Sequence, residues 1–232
     1  VELKPLKVLI AGASKGIGKY LAERMSEEHE VFGSYNSRQP EIGLTYKMTK
    51  VDISCEQEAQ SWIDQVCSAE DELALVYCVG VNYNCMIHKS DAGLWKDVIE
   101  SNLIGVQHAL RYILPLMRGK RFGRIVLLSS VVPQIGVPGT SAYAASKSAL
   151  WGLSKAVAKE NASYGITINS INLGYFDIGM IQVVPQEMLE MIVSGIPMAR
   201  LGNPQNILKT VEYLLSVDYL TGSQIDLNGG LH

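Results

Sequence analysis

Lys7-Val8-Leu9-Ile10-Ala11-Gly12-Ala13-Ser14-Lys15-Gly16-Ile17-Gly18 decides how the rest of the chain is read. An aliphatic run of strand length ends at Ala11, glycines follow at G-x-x-x-G-x-G spacing, and residues 17–28 read as a helix. Glycines permit a tight turn and bring backbone N–H groups against a pyrophosphate at a helix N-terminus, where the macrodipole favours an anion. The spacing alone also fits a purely structural turn. Its place between a first strand and a first helix favours the phosphate cradle, with Gly12, Ser14, Lys15, Gly16, Ile17 and Gly18 in contact.

Outward from that unit, strand-like and helix-like segments alternate. Residues 31–35 form a second strand and 46–52 a third, weakened by Lys47 and Lys50. Residues 73–79 and 124–129 are largely apolar, as parallel strands covered on both faces should be. Residues 166–171 and 224–227 complete the set. Helical patterns lie near 56–68, 91–118, 141–164 and 204–216. Ser90-Asp91 is placed to cap the second of these and Gly165 to stop the third. Pro115 is expected to kink or end the 91–118 helix near Leu114. The alternation predicts an α/β fold over residues 1–232: a single-domain, Rossmann-type, doubly wound parallel sheet of about seven strands with helices on both faces. No internal repeat, low-complexity tract or Pro/Gly/Ser-rich linker interrupts it.

Composition excludes other classes. The 232 residues carry 20 Lys+Arg against 23 Asp+Glu, a formal charge of −3, which lacks the basic footprint of a nucleic-acid binder. No apolar run approaches the ~18 residues needed to cross a bilayer, and Val1-Glu2-Leu3-Lys4-Pro5 does not read as a signal peptide. Cys55, Cys67, Cys78 and Cys85 show neither C-x-x-C spacing nor a histidine at zinc-ligand distance. No metal site is expected, and reduced thiols point to a cytoplasmic protein.

Cofactor choice is read after the second strand. A site selective for NAD would place a carboxylate there for the ribose 2′-OH. This chain has Tyr35-Asn36-Ser37-Arg38 instead. Lys15 and Arg38 can hold a 2′-phosphate through charge-assisted bonds, with Asn36 and Ser37 beside them, so NADPH is expected. The alternative makes both cations ordinary solvated side chains. Asp52, at the end of the third strand and next to Ile53, is the candidate for the adenine edge.

Tyr143-Ala144-Ala145-Ser146-Lys147 lies in a helical stretch. Residues four apart share a helix face, which sets a phenol beside an ammonium. Ser130 ends the apolar strand upstream, where ligands bind in such sheets. Asn102 falls in the 91–118 helix. Reducing a ketone needs a hydride at carbon and a proton at oxygen, and a free tyrosine with a pKa of about 10 is poorly matched to that transfer. An ammonium at ~4 Å favours phenolate by about 1–4 kcal/mol, enough to lower that pKa by about one to three units. YxxxK also arises by chance in helices; with the glycine loop and Ser130 it reads as a site.

With these residues assembled, the chain resembles the short-chain dehydrogenase/reductase family over essentially its whole length. The shared motifs are GASKGIG at 12–18, SNLIG at 101–105, RIVLLSS at 124–130, YAASK at 143–147 and TGSQIDLNGG at 221–230. The resemblance implies that Tyr143 is the acid/base, that Ser130 orients the carbonyl, that Lys147 binds the nicotinamide ribose and lowers the tyrosine pKa, and that Asn102 holds the water of a proton relay. It is strongest to 3-oxoacyl-[acyl-carrier-protein] reductases, through 124–152 and the C-terminal segment. This implies an NADPH-dependent ketoreductase of fatty-acid or polyketide type, acting as a homotetramer. The alternatives are a carbonyl reductase or alcohol dehydrogenase on a free small molecule, and a non-catalytic redox sensor, which would have no use for the Ser130, Tyr143, Lys147 and Asn102 set.

The chain departs from the family pattern at several places. Tyr77-Cys78-Val79-Gly80 stands where the family has Asn-Asn-Ala-Gly, leaving Gly80 and the Val79 backbone to line the adenosine ribose. Leu173 replaces a proline beside Gly174, and Ile178 replaces a threonine that faces the carboxamide, so contacts there fall to the backbone of Ile178 or its neighbours. Lys120, Arg121 and Arg124 match a basic cluster that meets an acidic acyl carrier protein near the active-site mouth, although Tyr164 replaces a second arginine. Alternatively, Arg118, Lys120, Arg121 and Arg124 simply solvate a helix end. Met180, Met188, Met191 and Met198 are read as either an adaptable substrate lid or core. His108 is assigned to packing or an interface, and His88 to a loop on the substrate side.

Overall fold

A computed structural model describes residues 5–41 and 43–231; the reading of residues 1–4 as a lead into the first strand lies outside these residues. Parallel strands form one seven-stranded sheet in the order β3-β2-β1-β4-β5-β6-β7. They are β1 (Lys7–Ala11), β2 (Glu30–Tyr35), β3 (Lys47–Lys50), β4 (Leu73–Tyr77), β5 (Gly123–Ser130), β6 (Ile166–Leu173) and β7 (Gln224–Leu227). Every residue of β4, β5 and β6 is buried, whereas the edge strands expose Lys47, Lys50 and Asp226. The apolar runs and the two weakening lysines had that one cause: distance from the sheet's edge.

Successive side chains point to opposite faces, and each face is covered. Leu9, Leu75, Ile125 and Leu127 pack on α2 (Glu56–Val66), α4 (Gly105–Lys120) and α6 (Ser141–Asn161) through Trp62, Ile113 and Leu150. Val8, Ile10, Val76 and Val126 pack on α1 (Gly16–Met25) and α8 (Pro204–Ser216) through Leu21, Met25, Ile207 and Leu214. A fully buried Leu or Ile contributes about 1.5–3 kcal/mol, so both layers are held mainly by burial. The strand order reverses between β1 and β4, which opens a crevice at their carboxyl ends.

The 91–118 segment is three pieces rather than one helix: α3 (Ala92–Ile99), a π-helical turn (Glu100–Ile104) and α4. Asp91 caps α3 by accepting from the Leu94 N–H at 2.9 Å. Pro115 does not end the helix, which runs on to Lys120. Pro115 and Arg111 are exposed, so the Arg111 carbonyl that loses its partner can take water, while Ala109, Ile113 and Met117 hold the helix down from the buried side. Gly165, at φ +73°, stops the chain after a 3-10 turn over Ala162–Tyr164. Two helices had no expected counterpart, the short α5 (Val132–Ile135) and α7 (Gln186–Gly195). α7 fully buries none of its side chains; its inner face, Leu189, Ile192 and Val193, is half-buried, and exposed Met188 and Met191 blur the stripe.

Candidate active site

The glycine loop leaves the carboxyl end of β1 under tight steric control. A Cβ on Gly18 would stand 2.1 Å from the Gly12 carbonyl oxygen, and one on Gly12 would stand 3.0 Å from Val79 Cγ2. Ser34, which no motif flags, anchors the loop: its hydroxyl accepts from the Gly12 N–H at 3.2 Å and its carbonyl from the Ala13 N–H at 2.8 Å. Lys15 is the N-cap of α1 and makes no side-chain capping bond. The first-turn N–H groups of a helix have no intrahelical partner, so Gly16, Ile17 and Gly18 present donors where a pyrophosphate would lie. Gly16 lies against Gly179, whose Cα would be 3.2 Å from a Cβ on Gly16, so the segment after β6 reaches over this loop.

At the adenosine end, Asn36, Asp52, Ser54, Asp97, Glu100 and Ser101 line a pocket. Asp52 Oδ1 accepts from the Ser54 N–H at 3.0 Å and from its hydroxyl at 2.6 Å. Ile53 does not join this surface: its side chain is in the core and its carbonyl lies 3.2 Å from Nδ1 of buried His108. Asn36, Ser37, Arg38 and Lys15 are exposed, and among the described residues neither cation is in an ion pair. Gly174 is small because Asn228 Cα would stand 2.6 Å from its Cβ. The Ile178 N–H already donates to the Phe176 carbonyl at 2.7 Å, and its side chain joins the apolar layer. These are packing roles, so the expected backbone contact at Ile178 has lost its donor.

Ser130 closes β5, and Tyr143 and Lys147 lie on the face of α6 that packs against that strand. All three are buried, at 7%, 8% and 3% exposure. Ser130 Oγ accepts from the Val132 N–H at 3.2 Å. Lys147 Nζ donates to the Leu128 carbonyl at 2.8 Å and to the Val79 carbonyl at 3.2 Å, and stands 5.8 Å from the Tyr143 ring centre. Burial raises the Tyr143 pKa, with the Ser130 hydroxyl opposing and Tyr175 adding to the rise, as expected for a phenol withdrawn from water.

Asn102 occupies the π-helical turn and is fully buried. Its Nδ2 donates to the Val81 carbonyl at 2.9 Å and to Ser146 Oγ at 3.0 Å, and its Oδ1 accepts from the Val81 N–H at 2.9 Å. Both amide protons are thus taken by protein. The side chain braces the 79–81 segment against α6, and any water it serves must use other atoms. The wide turn leaves the Ser101 carbonyl to Tyr77, whose hydroxyl donates at 2.6 Å. Cys78, beside it, bonds through its backbone N–H to Ala11, and burial pushes its thiol up to about 12.

The basic cluster is not as expected. Arg124 is 7% exposed, donates to the Leu215, Gly123 and Gly165 carbonyls and stacks 4.4 Å from the Phe122 ring centre. It is a structural side chain, since three carbonyls and an aromatic face satisfy a guanidinium withdrawn from water. It is the second residue of β5 whereas Ser130 is the last, a separation of about 20 Å at 3.3 Å per residue. Arg118 and exposed Arg121 flank Tyr164 at that same far edge. Met180, Met188, Met191 and Met198 are all exposed, which rules out the core reading.

Burial lowers the Lys147 pKa from 10.5 to about 8. Below pH 8 the folded protein bears the full penalty of a desolvated ammonium. Between about 8 and 10.5 the unfolded chain binds a proton that the folded one has released, so this group's contribution to stability rises with pH. Thermal melts of wild type and Lys147→Met should therefore show wild type gaining on the variant from pH 8 to 10; parallel curves would contradict the shift.

Comparison with known proteins follows the same outline. A family model described as enoyl-(acyl carrier protein) reductase matches residues 12–232. The 3-oxoacyl-[acyl-carrier-protein] reductase FabG of Haemophilus influenzae is 32% identical over 97% of each chain. The acetoacetyl-CoA reductase of Rhizobium meliloti is 35% identical over 96% of each. The crystal structure of levodione reductase superposes with a TM-score of 0.90 at 24% identity, covering 99% of this chain and 98% of that one.

Proposed function

Because the chain belongs to the short-chain dehydrogenase/reductase family, and so is a nicotinamide-dependent oxidoreductase acting on carbonyl or hydroxyl groups, we propose that it is an NADPH-dependent ketoreductase. Its substrate is a 3-oxoacyl thioester and its product the 3-hydroxyacyl thioester. The observation that carries this reading is the placement of Ser130, Tyr143 and Lys147 at the same sheet edge as the glycine loop. The names of the reductases most like it supply the substrate class.

The cradle suits a dinucleotide: free first-turn donors, a glycine pair that a Cβ would fill, and Lys147 within reach of Gly80. Gly12, Ser14, Gly16, Ile17 and Gly18 would hold the pyrophosphate, Val79 and Gly80 the adenosine ribose, Asp52 the adenine, and Lys147 and Tyr143 the nicotinamide ribose. When bound, NADPH supplies the hydride. Ser130 holds the ketone oxygen by its hydroxyl, and Tyr143 gives that oxygen its proton. Lys147, held by the Leu128 and Val79 carbonyls, would set the nicotinamide ribose against Tyr143. Asn102 holds the 79–81 segment that aligns Lys147.

Selection of NADPH falls to Lys15 and Arg38, which among the described residues form no ion pair, although Glu41 lies near enough to Arg38 to feel its charge. A charge-assisted bond contributes about 1.5–3 kcal/mol, so Arg38→Ala should weaken NADPH binding about tenfold or more and leave NADH unchanged. Following absorbance with acetoacetyl-CoA, an acyl-carrier-linked 3-oxoacyl chain and free ketones tests both levels. Thioester turnover with NADPH is the expected result. Turnover of free ketones alone would move the assignment to a carbonyl reductase, and equal use of NADH would remove the role of Arg38.

We place the enzyme in the cytoplasm, on the chemistry of its four unpaired thiols, as one catalytic domain in a homotetramer. Lys120 and Arg121 would meet an acidic carrier. They lie beside the end of β5 opposite Ser130, a placement that supports a CoA-linked substrate over a carrier docked at this cluster.

A further inference from the structure

A hydrogen-bond chain running from exposed Asp226 through buried Asn172 to buried Ser129 meets the active site from behind, and none of its outer members belongs to the Ser130, Tyr143, Lys147 and Asn102 set. Trp151 follows Lys147 by one turn of α6. Its Nε1 donates to Ser129 Oγ at 3.0 Å and to Asn172 Oδ1 at 2.8 Å. Ser129 Oγ donates to the main-chain carbonyl of Lys147 at 3.0 Å. Asn172 Nδ2 donates to Asp226 Oδ1 at 2.7 Å, and the same oxygen accepts from Gln134 Nε2 at 2.8 Å. Gln134 belongs to α5, the turn that follows Ser130. One carboxylate oxygen on β7 thus ties together the turn after Ser130 and the turn that carries Lys147.

Donor chemistry gives the chain a single direction. A carboxylate only accepts and an indole N–H only donates. Asn172, fully buried between them, must turn its NH2 to Asp226 and its oxygen to Trp151. Ser129 already accepts from Trp151, so its one proton goes to Lys147. The reverse setting of the Asn172 amide would put its NH2 against the Trp151 N–H and its oxygen against the Asp226 carboxylate; Gln134 Oε1 stays buried without a partner among the described residues. Lys147 is in this way gripped twice by β5, at its carbonyl through Ser129 and at Nζ through Leu128.

We propose that Trp151, Asn172 and Asp226 are positioning residues for the ketoreductase reaction: acting through Ser129 and Gln134, they set the register of the Tyr143–Lys147 turn against Ser130. The inference rests on the function proposed above. Displacements of about 1 Å at such a site cost up to a hundredfold in rate, and this chain controls a displacement of that size without touching substrate.

The test is steady-state kinetics of NADPH-dependent thioester reduction by wild type, Trp151→Phe, Asp226→Leu and Asp226→Asn. Asp226 is exposed, so Asp226→Leu leaves the core intact should Trp151→Phe fold poorly. Trp151→Phe and Asp226→Leu are each expected to lower kcat about tenfold, with KM for NADPH within about twofold of wild type. Asp226→Asn, which keeps an acceptor oxygen for Asn172 and Gln134, should recover most of that loss. An active wild type with kcat within twofold in both Trp151→Phe and Asp226→Leu would overturn the inference alone, as would an Asp226→Asn no better than Asp226→Leu. A wild type that reduces no ketone with NADPH would overturn the ketoreductase reading and this inference together.

Discussion

Tyr143→Phe is expected to lower kcat for ketone reduction about 10²–10⁴-fold, the usual worth of a positioned general acid, with NADPH affinity within about threefold of wild type. The substitution removes one hydroxyl and keeps the ring that packs with Val98, Ala142 and Trp95, so neither the helix nor the cradle should change. Burial holds the phenol protonated well past neutrality, which is the form that donates to a ketone oxygen. Oxidation of the alcohol would need the phenolate, which the same burial disfavours, so reduction should be the easier direction through the neutral range. Single-turnover absorbance at 340 nm, roughly the usual NADPH band, measures the rate, and NADPH fluorescence titration measures binding. A variant with more than a tenth of wild-type kcat would mean that the proton comes from elsewhere.

Gly18→Ala should be the most damaging change at the cofactor cradle. The added methyl group would be 2.1 Å from the Gly12 carbonyl oxygen and 3.2 Å from Cys78 Cβ. Both obstacles belong to the strand ends that form the crevice and have no flexible side chain to swing aside. Relief requires α1 to move off β1, and overpacking of this kind costs about 1–3 kcal/mol. If the strain falls on the loop geometry, NADPH affinity should drop about 10–100-fold. Gly119→Ala is the control: nothing lies within 4 Å of its Cβ, in the last turn of α4, and it should stabilise by about 0.5–1 kcal/mol. Equal NADPH affinity in Gly18→Ala and wild type would show that the pyrophosphate does not use this turn.

The parts legible in the sequence were those whose cause is local. Burial on both faces makes β4, β5 and β6 continuous apolar runs, and the helix-facing stripes of α2 and α8 repeat at helical period because one side meets the sheet. The glycines announce a close backbone approach through the absence of a side chain. Ser130, Tyr143 and Lys147 announce themselves through residue type and spacing, since a strand end and one helix face suffice to assemble them. α7 stayed hidden because its half-buried Leu189, Ile192 and Val193 share the helix with exposed methionines. The break at 100–104 stayed hidden because a π-turn is set by what its carbonyls find, here the Tyr77 hydroxyl.

The misreadings share a different cause. Arg124 looked like a surface cation, and only the approach of Leu215 and Gly165 from other elements makes it a buried donor. Lys147 stands one turn from Tyr143 as expected, and what the spacing did not show is that its N–H donors go to the Val79 carbonyl just past β4 and the Leu128 carbonyl on β5. The sequence by itself determined the strand–glycine–helix unit, the α/β alternation and which side chains make up the candidate site, because each depends on neighbours a few residues away. Tertiary structure alone decided which buried polar atoms meet: Asn102 with Val81, Trp151 with Asn172, Asn172 with Asp226. Those partners are brought together by the strand order of the sheet, and a hydrogen bond between residues tens of positions apart leaves no periodicity in the chain that makes it.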